Sequence, residues 1–183
     1  THPDRIFMNE KGQMTGFPIK LRRRLSIIDS KLRKLDQQLD GHKKDNSVKT
    51  KLLTRQRQNL FNKQKYLLKD WMRVVIKQWY QKYDCLCIEK LSPIEMRSDK
   101  RQSNYNLAHT IPGIFKQLCQ DIAQSTGKLL LEIDPYLTSK TCHHCGYINN
   151  KLKPGIESWT CPICHHYLDR DQNAAINIKT WAF

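Results

Sequence analysis

TSKTCHHCGYINNKLKPGIESWTCPICHHYLDRDQNAAINI, residues 138–178, is the stretch that decides the fold of this chain. It holds two Cys-x-x-Cys knuckles, Cys142/Cys145 and Cys161/Cys164, with fifteen residues between the inner cysteines. This spacing is typical of a zinc ribbon, in which each knuckle presents two sulfurs on one tight turn and the linker returns as a short hairpin. Gly146 follows the first knuckle and suits a turn that requires positive φ. The stretch therefore predicts a closed, structural Zn²⁺ site.

The alternative for paired cysteines is a disulfide framework, which is typical of secreted proteins. No export signal opens the chain, so we expect a reducing compartment. Three further cysteines, Cys85, Cys87 and Cys119, lie in apolar stretches, as reduced core thiols do. The sequence therefore favours zinc-bound thiolates over disulfides.

An acidic motif, DRDQNAA at residues 169–175, follows the ribbon and leads into small and apolar residues that predict a helix start. The helix dipole favours acidic residues in a first turn, which explains one of the two carboxylates but not both. The order DPYLTSKTC, CGY, CPIC and LDRDQNAAINI resembles the C-terminal part of the TnpB (OrfB) proteins of insertion sequences. These proteins are relatives of the type V CRISPR effectors.

The resemblance implies an RNase H-like (RuvC) nuclease domain into which the ribbon is inserted. It implies that Asp171, the second acid of the motif, is a catalytic metal ligand. Glu89 closes the apolar stretch YDCLCIEKL, which resembles the V-I-E-x-L pattern of the second RuvC motif, and is the second predicted catalytic ligand. The alternative for Glu89 is an edge-strand glutamate that reaches solvent. The implied chemistry is phosphodiester hydrolysis with two Mg²⁺ or Mn²⁺ ions about 4 Å apart, which activate a water and neutralise the leaving oxygen.

The resemblance also implies a third carboxylate, on an earlier strand. His2 falls where the family has its first catalytic Asp, and Asp4 is the nearby acid. Asp169 is a weak substitute that serves equally well as a helix cap. Because the missing strand is central to an RNase H-like sheet, we expect the chain to be a fragment, either a truncated gene product or a piece cut from a longer protein, and inactive alone.

Residues 20–80 predict two long antiparallel helices. In the first helix, apolar residues recur at alternating steps of four and three, the pattern of a coiled-coil seam: Leu21, Leu25, Ile28, Leu32, Leu35 and Leu39. Gly41 and residues 42–46 break this helix. Ser47 is an N-cap candidate for the second helix, whose apolar face is predicted to carry Leu53, Leu60, Leu67, Trp71 and Val74.

The helical region also carries most of the positive charge. The chain has a net charge of +15, and eighteen Lys or Arg minus five acids leave +13 within residues 20–80. A merely solvated face usually interleaves both signs, so this clustering favours a nucleic-acid partner. The predicted phosphate contacts are Arg22, Arg23, Arg24, Arg55 and Arg57.

The ribbon carries further candidates for contact with a nucleic-acid strand, namely Lys140 and Lys151 by charge and Tyr147 and Trp159 by stacking. Packing of the two aromatic residues against the zinc site is an equally good alternative.

The remaining elements are short. We expect a strand within residues 5–9, a turn at residues 10–13 with Gly12 at positive φ, and a mobile loop at residues 93–109. A helix is predicted over residues 111–125 and ends at Gly127, and a buried strand is predicted over residues 129–133.

These observations predict an α/β fold: an incomplete RNase H-like (RuvC) core at residues 1–137 and 167–183, containing the basic helical hairpin at about residues 20–82, and an inserted zinc ribbon of the target nucleic-acid-binding type at residues 138–166. The implied function is the C-terminal part of a transposon-associated, RNA-guided DNA endonuclease, with DNA and, in the full-length protein, guide RNA as partners. The alternative is a nuclease-dead nucleic-acid-binding remnant or truncated regulator. No apolar run approaches the ~20 residues that span a bilayer, so no membrane partner is expected. A bacterial protein of this kind would be cytoplasmic and nucleoid-associated, and a nuclear or viral setting is also open.

Overall fold

The computed structural model describes residues 6–41, 47–90 and 107–183, apart from the side chains of residues 107–110. Two compact units are present, Phe17–Ile76 on the one hand and Thr1–Gly16 with Lys77–Phe183 on the other. No helix in the described ranges is both long and apolar enough to span a membrane. In chain order the elements are β1 (Phe7–Met8), β2 (Met14–Thr15), α1 (Ile19–Asp40), α2 (Val48–Lys82), β3 (Cys85–Glu89), α3 (Leu107–Thr126), β4 (Leu129–Ile133), β5 (Ser158–Thr160), β6 (Tyr167–Asp169) and α4 (Arg170–Trp181).

The unit Phe17–Ile76 contains α1 and most of α2. Leu25, Ile28 and Leu32 form the buried stripe of α1, as the seam pattern predicts. The backbone N–H of Thr50 donates to Ser47 Oγ at 3.3 Å, so Ser47 caps α2 as expected. Helix α1 ends at Asp40, directly before Gly41. The predicted break at residues 42–46 lies outside the described residues.

The buried face of α2 differs from the prediction. Val74 is 51% exposed, whereas Leu68, Met72, Val75 and Ile76 are buried. The prediction placed apolar residues at intervals of seven from Leu53 to Val74, as in a strict heptad repeat. A straight α-helix drifts relative to that repeat, so along a long helix the buried stripe moves to neighbouring positions.

A polar pair crosses between α1 and α2. Gln64 is 2% exposed, and its Nε2 donates to Asp29 Oδ1 at 2.5 Å. Burial raises the pKa of Asp29, while the bond from Gln64 and the charge of Arg33 oppose this shift. A second pair joins Arg57 Nε to Asp36 Oδ1 at 2.7 Å. Because the later residue on α2 pairs with the earlier residue on α1, the helices are antiparallel, as predicted.

The second unit is built around a parallel strand pair. Strand β3 pairs with β4 in register from Cys85 opposite Leu129 to Glu89 opposite Ile133. Helix α3 lies between them in the chain, as a parallel connection requires. The strand predicted at residues 129–133 is confirmed at the same bounds, but the prediction that it is buried is wrong, since Leu129 is 61% exposed and the other four residues are half-buried.

Helix α3 begins at Leu107, four residues earlier than predicted, and contains Pro112. Proline is favoured in the first turn of a helix. Here the helix accepts Pro112 in its interior, where the ring removes one backbone donor. The mobile loop predicted at residues 93–109 is therefore helical over residues 107–109, and the rest of it lies outside the described residues. Gly127, with φ of 66°, ends the helix as expected.

The β1–β2 hairpin belongs to the same unit. Its turn contains Gly12 at φ 73°, which confirms the predicted turn. A Cβ at Gly12 would meet the Gln172 side chain of α4 at 3.0 Å, so this position requires glycine for space as well as for conformation. Phe7 of β1 packs against Phe115 and Trp79, with ring centroids 4.4 and 5.4 Å apart.

The three cysteines outside the ribbon are free thiols. Cys119 is fully buried, and burial raises its pKa to about 12. Burial, together with neighbouring Cys85, raises the pKa of Cys87 to about 11. Such thiols stay protonated at neutral pH and are unreactive, in agreement with the predicted role as core residues.

Candidate metal centres and nucleic-acid surface

The two cysteine knuckles have the same local structure. In the first, the N–H of Cys142 donates to Tyr147 O and the N–H of Gly146 donates to Cys142 O. In the second, the N–H of Cys161 donates to the carbonyl of residue 166 and the N–H of His165 donates to Cys161 O. Gly146 and His165 occupy equivalent positions, and both have positive φ, 77° and 58°. The second knuckle therefore places a non-glycine residue in a conformation that costs about 1–2 kcal/mol.

The four knuckle sulfurs converge. Cys142 Sγ lies 3.7 Å from Cys164 Sγ, and Cys145 Sγ lies 3.5 Å from Cys161 Sγ, with all four sulfurs within 4.8 Å of one another. Zn–S bonds of about 2.3 Å at tetrahedral angles place sulfurs about 3.8 Å apart. A disulfide requires about 2.05 Å, so the disulfide alternative is wrong. The cluster can bind zinc.

A small apolar core supports the cluster. Trp159, Leu152 and Leu168 are buried beside Cys142 and Cys161. Tyr147 packs against the same core. Because Trp159 is only 7% exposed, packing explains it and strand stacking does not. Lys140 is half-buried and Lys151 is exposed, so both remain predicted contacts for nucleic acid.

A second group of metal-binding atoms lies beside the knuckles, where the sequence analysis placed none. It consists of His144, His166 and Cys164, whose ligand atoms lie within 4.8 Å of one another. The two exposed imidazoles are stacked, with centroids 3.8 Å apart and planes at 23°. Imidazole nitrogens bind metal in the plane of the ring, so nearly parallel rings do not direct their nitrogens at one ion.

Glu89 ends β3 and is half-buried. Its Oε1 accepts a hydrogen bond from Thr138 Oγ1 at 2.9 Å. Burial raises the pKa of Glu89, and the negative charge of Asp171 raises it further, while the bond from Thr138 and the charge of Arg170 act in the opposite direction. Glu89 is therefore half-buried and hydrogen-bonded rather than freely solvated, and the negative charge of Asp171 acts on its carboxyl group.

Asp171 lies in the first turn of α4 and is exposed. Asp169 is the N-cap of that helix, because its Oδ1 accepts from the N–H groups of Asp171 and Gln172, both at 3.0 Å. This geometry gives Asp169 the capping role that the sequence analysis left open. Asp4, the other nearby acid, and His2, which falls where the family has its first catalytic Asp, lie outside the described residues.

Two asparagines of α4 were not selected by the sequence analysis. Asn173 is 0% exposed and Asn177 is 3% exposed. Each donates to the carbonyl of Thr141, at 2.8 and 2.7 Å. Their signal in the sequence is two amides four residues apart, within the run NAAINI in which the other residues are apolar, and this spacing places both amides on one face of the helix.

The predicted phosphate contacts differ in accessibility. Arg23, Arg24 and Arg55 are exposed, whereas Arg22 is half-buried. Arg57 forms the ion pair with Asp36 described above, so its charge is partly neutralised within the protein.

An open groove between α1 and α2 adds to this surface, with a volume of about 480 Å³. Three lysines and three side-chain amides dominate its lining, which comprises Lys31, Lys34, Leu35, Gln38, Gln56, Asn59, Leu60 and Lys63. This groove has no signal in the sequence, because its two walls come from different helices.

Similar proteins were found at three levels. The family model described as Cas12f1-like, TNB domain matches residues 113–178. The TnpB-like proteins L79, L770 and R854 of Acanthamoeba polyphaga mimivirus are each 30% identical over 138 residues, which are 73% of this chain and 26% of each relative. The chain thus spans about a quarter of the length of these curated relatives.

The cryo-EM structure of the Cas12f1–sgRNA–target DNA complex contains a similar chain, with a TM-score of 0.52 and 21% identity. The likeness covers 82% of this chain and 42% of that chain. At this identity it concerns the fold. It confirms the predicted class, a mixed α/β chain resembling RuvC-containing effectors, with a cysteine cluster able to form a zinc ribbon.

Proposed function

Because the chain is a TnpB/type V effector-like protein, we propose that it is the C-terminal RuvC and zinc-ribbon part of a transposon-associated, RNA-guided DNA endonuclease. Glu89 and Asp171 would hold Mg²⁺ or Mn²⁺, and the four ribbon cysteines would hold Zn²⁺. The observation that carries the proposal is that α4, which has Asp171 in its first turn, packs against β3, which ends at Glu89, so that the charge of Asp171 acts on the half-buried Glu89 carboxyl group and raises its pKa. Two acids brought together from distant elements, one of them desolvated, are typical of a divalent-metal site.

The divalent ions of such a site activate a water and neutralise the leaving oxygen during phosphodiester hydrolysis. The protein's own groups prepare the site. Burial makes the charged form of Glu89 costly, and a cation offsets this cost. The hydroxyl of Thr138 fixes the orientation of the Glu89 carboxylate. Asp171 faces solvent, where a scissile phosphate can approach.

The site would be completed by a third carboxylate. Asp169 is a poor candidate, because its Oδ1 is engaged by two backbone donors of α4. We therefore propose that the 183-residue chain binds nucleic acid but cuts it only when an acid-bearing strand joins the Glu89/Asp171 pair.

The partners proposed are DNA and guide RNA. The basic unit Phe17–Ile76 supports this with exposed Arg23, Arg24 and Arg55 and with the lysine- and amide-lined groove. The similar Cas12f1 chain was solved in a complex with an sgRNA and a target DNA. In a bacterial host, such a protein would act in the cytoplasm at the nucleoid.

Binding of Mn²⁺ to the zinc-loaded chain, measured by electron paramagnetic resonance, tests the metal site. We expect Glu89→Gln or Asp171→Asn to weaken binding at least tenfold. Asp121→Asn is the matched control, because Asp121 is an exposed helical acid bonded to Gln117. If Glu89→Gln and Asp171→Asn bind Mn²⁺ like the unaltered chain, the assignment is wrong.

Cleavage of single-stranded DNA with Mg²⁺ tests the reaction. The chain alone should leave the DNA intact, and a version preceded by an acid-bearing strand should cut it in a manner that depends on Asp171. Cutting by the chain alone, or cutting that survives Asp171→Asn, would contradict the proposal. Nucleic-acid binding without cutting in both versions would favour the nuclease-dead remnant.

A further inference from the structure

The segment that joins β4 to the first knuckle, residues 137–143, makes hydrogen bonds to both elements that carry the proposed catalytic acids. We refer to it as the connecting segment. It begins at Leu137, which has φ of 62°, a conformation that non-glycine residues rarely adopt. The carbonyl of Leu137 accepts from the N–H groups of Lys140 and Thr141 at 3.0 and 2.9 Å, and from Thr141 Oγ1 at 3.0 Å. The segment is thus a tight turn with a fixed course, and it contains the zinc-ligand candidate Cys142.

One side of the connecting segment meets β3 through Thr138. This residue is 2% exposed. Its Oγ1 lies 2.9 Å from Glu89 Oε1 and 3.1 Å from Pro135 O. A hydroxyl has one proton, and a carboxylate is the stronger acceptor, so the bond to Glu89 is favoured.

The other side meets α4 through the two buried asparagines. Asn177 Nδ2 donates to the carbonyls of Thr138 and Thr141 at 2.8 and 2.7 Å. Asn173 Nδ2 donates to Thr141 O at 2.8 Å, and Asn173 Oδ1 accepts from the N–H of His143 at 3.0 Å. Both ends of the Asn173 amide are therefore used by the segment.

Asn173 and Asn177 belong to the same helix as Asp171. The position of α4 relative to Glu89 is accordingly set through the connecting segment. Glu89 accepts from the Thr138 hydroxyl, and the asparagines of the helix bond to backbone atoms of Thr138, Thr141 and His143. Thr141 and His143 flank Cys142 in the chain, and the sulfur of Cys142 lies 3.7 Å from that of Cys164. Order in the knuckle and alignment of the two acids thus depend on one stretch of seven residues.

We propose that zinc binding in the ribbon and divalent-ion binding at Glu89/Asp171 are thermodynamically linked through the connecting segment, with Thr138, Asn173 and Asn177 as positioning residues. The inference rests on the proposed function, which assigns the pair to Mg²⁺ or Mn²⁺. A zinc-ligating knuckle is ordered by its metal, and loss of the metal releases Cys142 and the backbone that both asparagines hold. By reciprocity, occupancy of the acid pair strengthens zinc binding by the same factor by which zinc strengthens binding at the pair.

The first test changes only the Thr138 hydroxyl. Thr138→Val keeps the shape of the side chain and removes the donor, whereas Thr138→Ser keeps the donor. Partners of this kind typically change metal affinity by about 10–100-fold. We expect Thr138→Val to weaken Mn²⁺ binding by about tenfold in the zinc-loaded chain, and Thr138→Ser to stay within about twofold of the unaltered chain. Equal Mn²⁺ affinity in the Val and Ser variants would overturn the role of Thr138.

The second test needs no substitution. Zinc affinity is measured by competition with a chromophoric chelator, with and without saturating Mg²⁺. We expect Mg²⁺ to strengthen zinc binding, and this effect to be lost in Glu89→Gln. Suppose that Mn²⁺ binding requires Glu89 but that zinc affinity does not change when Mg²⁺ is added. This result overturns the linkage and leaves the proposed function intact. Mn²⁺ binding that does not require Glu89 overturns both.

Discussion

Replacing Glu89 by glutamine should stabilise the folded chain at neutral pH when no Mg²⁺ or Mn²⁺ is added. Burial is the largest cause of the raised pKa of Glu89, and repulsion from Asp171 adds to it. The folded state therefore binds the Glu89 proton more tightly than the unfolded chain, whose pKa is the usual 4.5. The contribution of Glu89 to stability is thus greatest below pH 4.5 and is lost as the pH rises through the folded pKa.

The magnitude follows from the same linkage. Each unit by which the pKa is raised removes about 1.4 kcal/mol of stability once the pH exceeds the folded pKa. Glutamine keeps an oxygen that accepts from Thr138 Oγ1, so the hydrogen bond of the carboxylate is retained. We expect Glu89→Gln to raise the free energy of unfolding at pH 7, and each 1 kcal/mol gained raises the melting temperature of a chain of this size by about 2–4 °C.

The assay is urea denaturation of the zinc-loaded chain between pH 5 and pH 8. The advantage of Glu89→Gln should be small at pH 5 and should grow as the pH rises. Glu132→Gln is the control, because Glu132 lies on the adjacent strand β4 but forms a half-exposed ion pair with Lys116 at 2.6 Å. Losing such a pair costs about 0–1 kcal/mol. A Glu89→Gln variant that is less stable than the unaltered chain at pH 7, or whose advantage does not vary with pH, would refute the reasoning.

Three further predictions concern other parts of the chain. Cys161→Ser should abolish stoichiometric zinc in metal analysis and increase hydrogen exchange in the ribbon, since the binding free energy of such sites is folding free energy; full zinc content in the variant would contradict the four-thiolate site. Arg23→Gln with Arg24→Gln should flatten the log–log salt dependence of duplex binding by about 0.9 per lost contact, whereas Arg57→Gln, at the ion-paired position, should change the slope less. Asp169→Ala should cost about 1 kcal/mol in urea denaturation by removing the cap of α4, and Asp169→Asn should retain most of that stability; equal losses would show that the cap is not the cause.

The features that the sequence predicted well are local. The knuckle spacing predicts that the four cysteines converge, because each pair lies on one turn and the short linker returns as a hairpin. The strand at residues 129–133 and the cap at Ser47 also depend on neighbouring residues alone. The resemblance of short motifs selected Glu89 and Asp171, which lie on β3 and α4, two elements in contact, and their catalytic role stays a prediction.

The features that the sequence could not supply are contacts between distant residues. Nothing near Gln64 in the chain indicates that it is buried, because its partner Asp29 lies on another helix. Arg57 looks like any basic residue of the hairpin until Asp36 is found beside it. Burial of Asn173 is likewise decided by carbonyls that precede it by about thirty residues.

The direct passage from β6 into α4 has a consequence for the order of folding. Asp169 is both the last residue of β6 and the N-cap of α4, so closing the ribbon hairpin delivers the cap that starts the helix. The β5–β6 pair closes a short loop, whereas β3 and β4 can pair only after the whole crossover through α3 is closed. Loop-closure entropy and contact order both favour the shorter closure. Refolding should therefore proceed with a fast, zinc-dependent phase in the ribbon and α4, followed by a slower phase in which the parallel strands join.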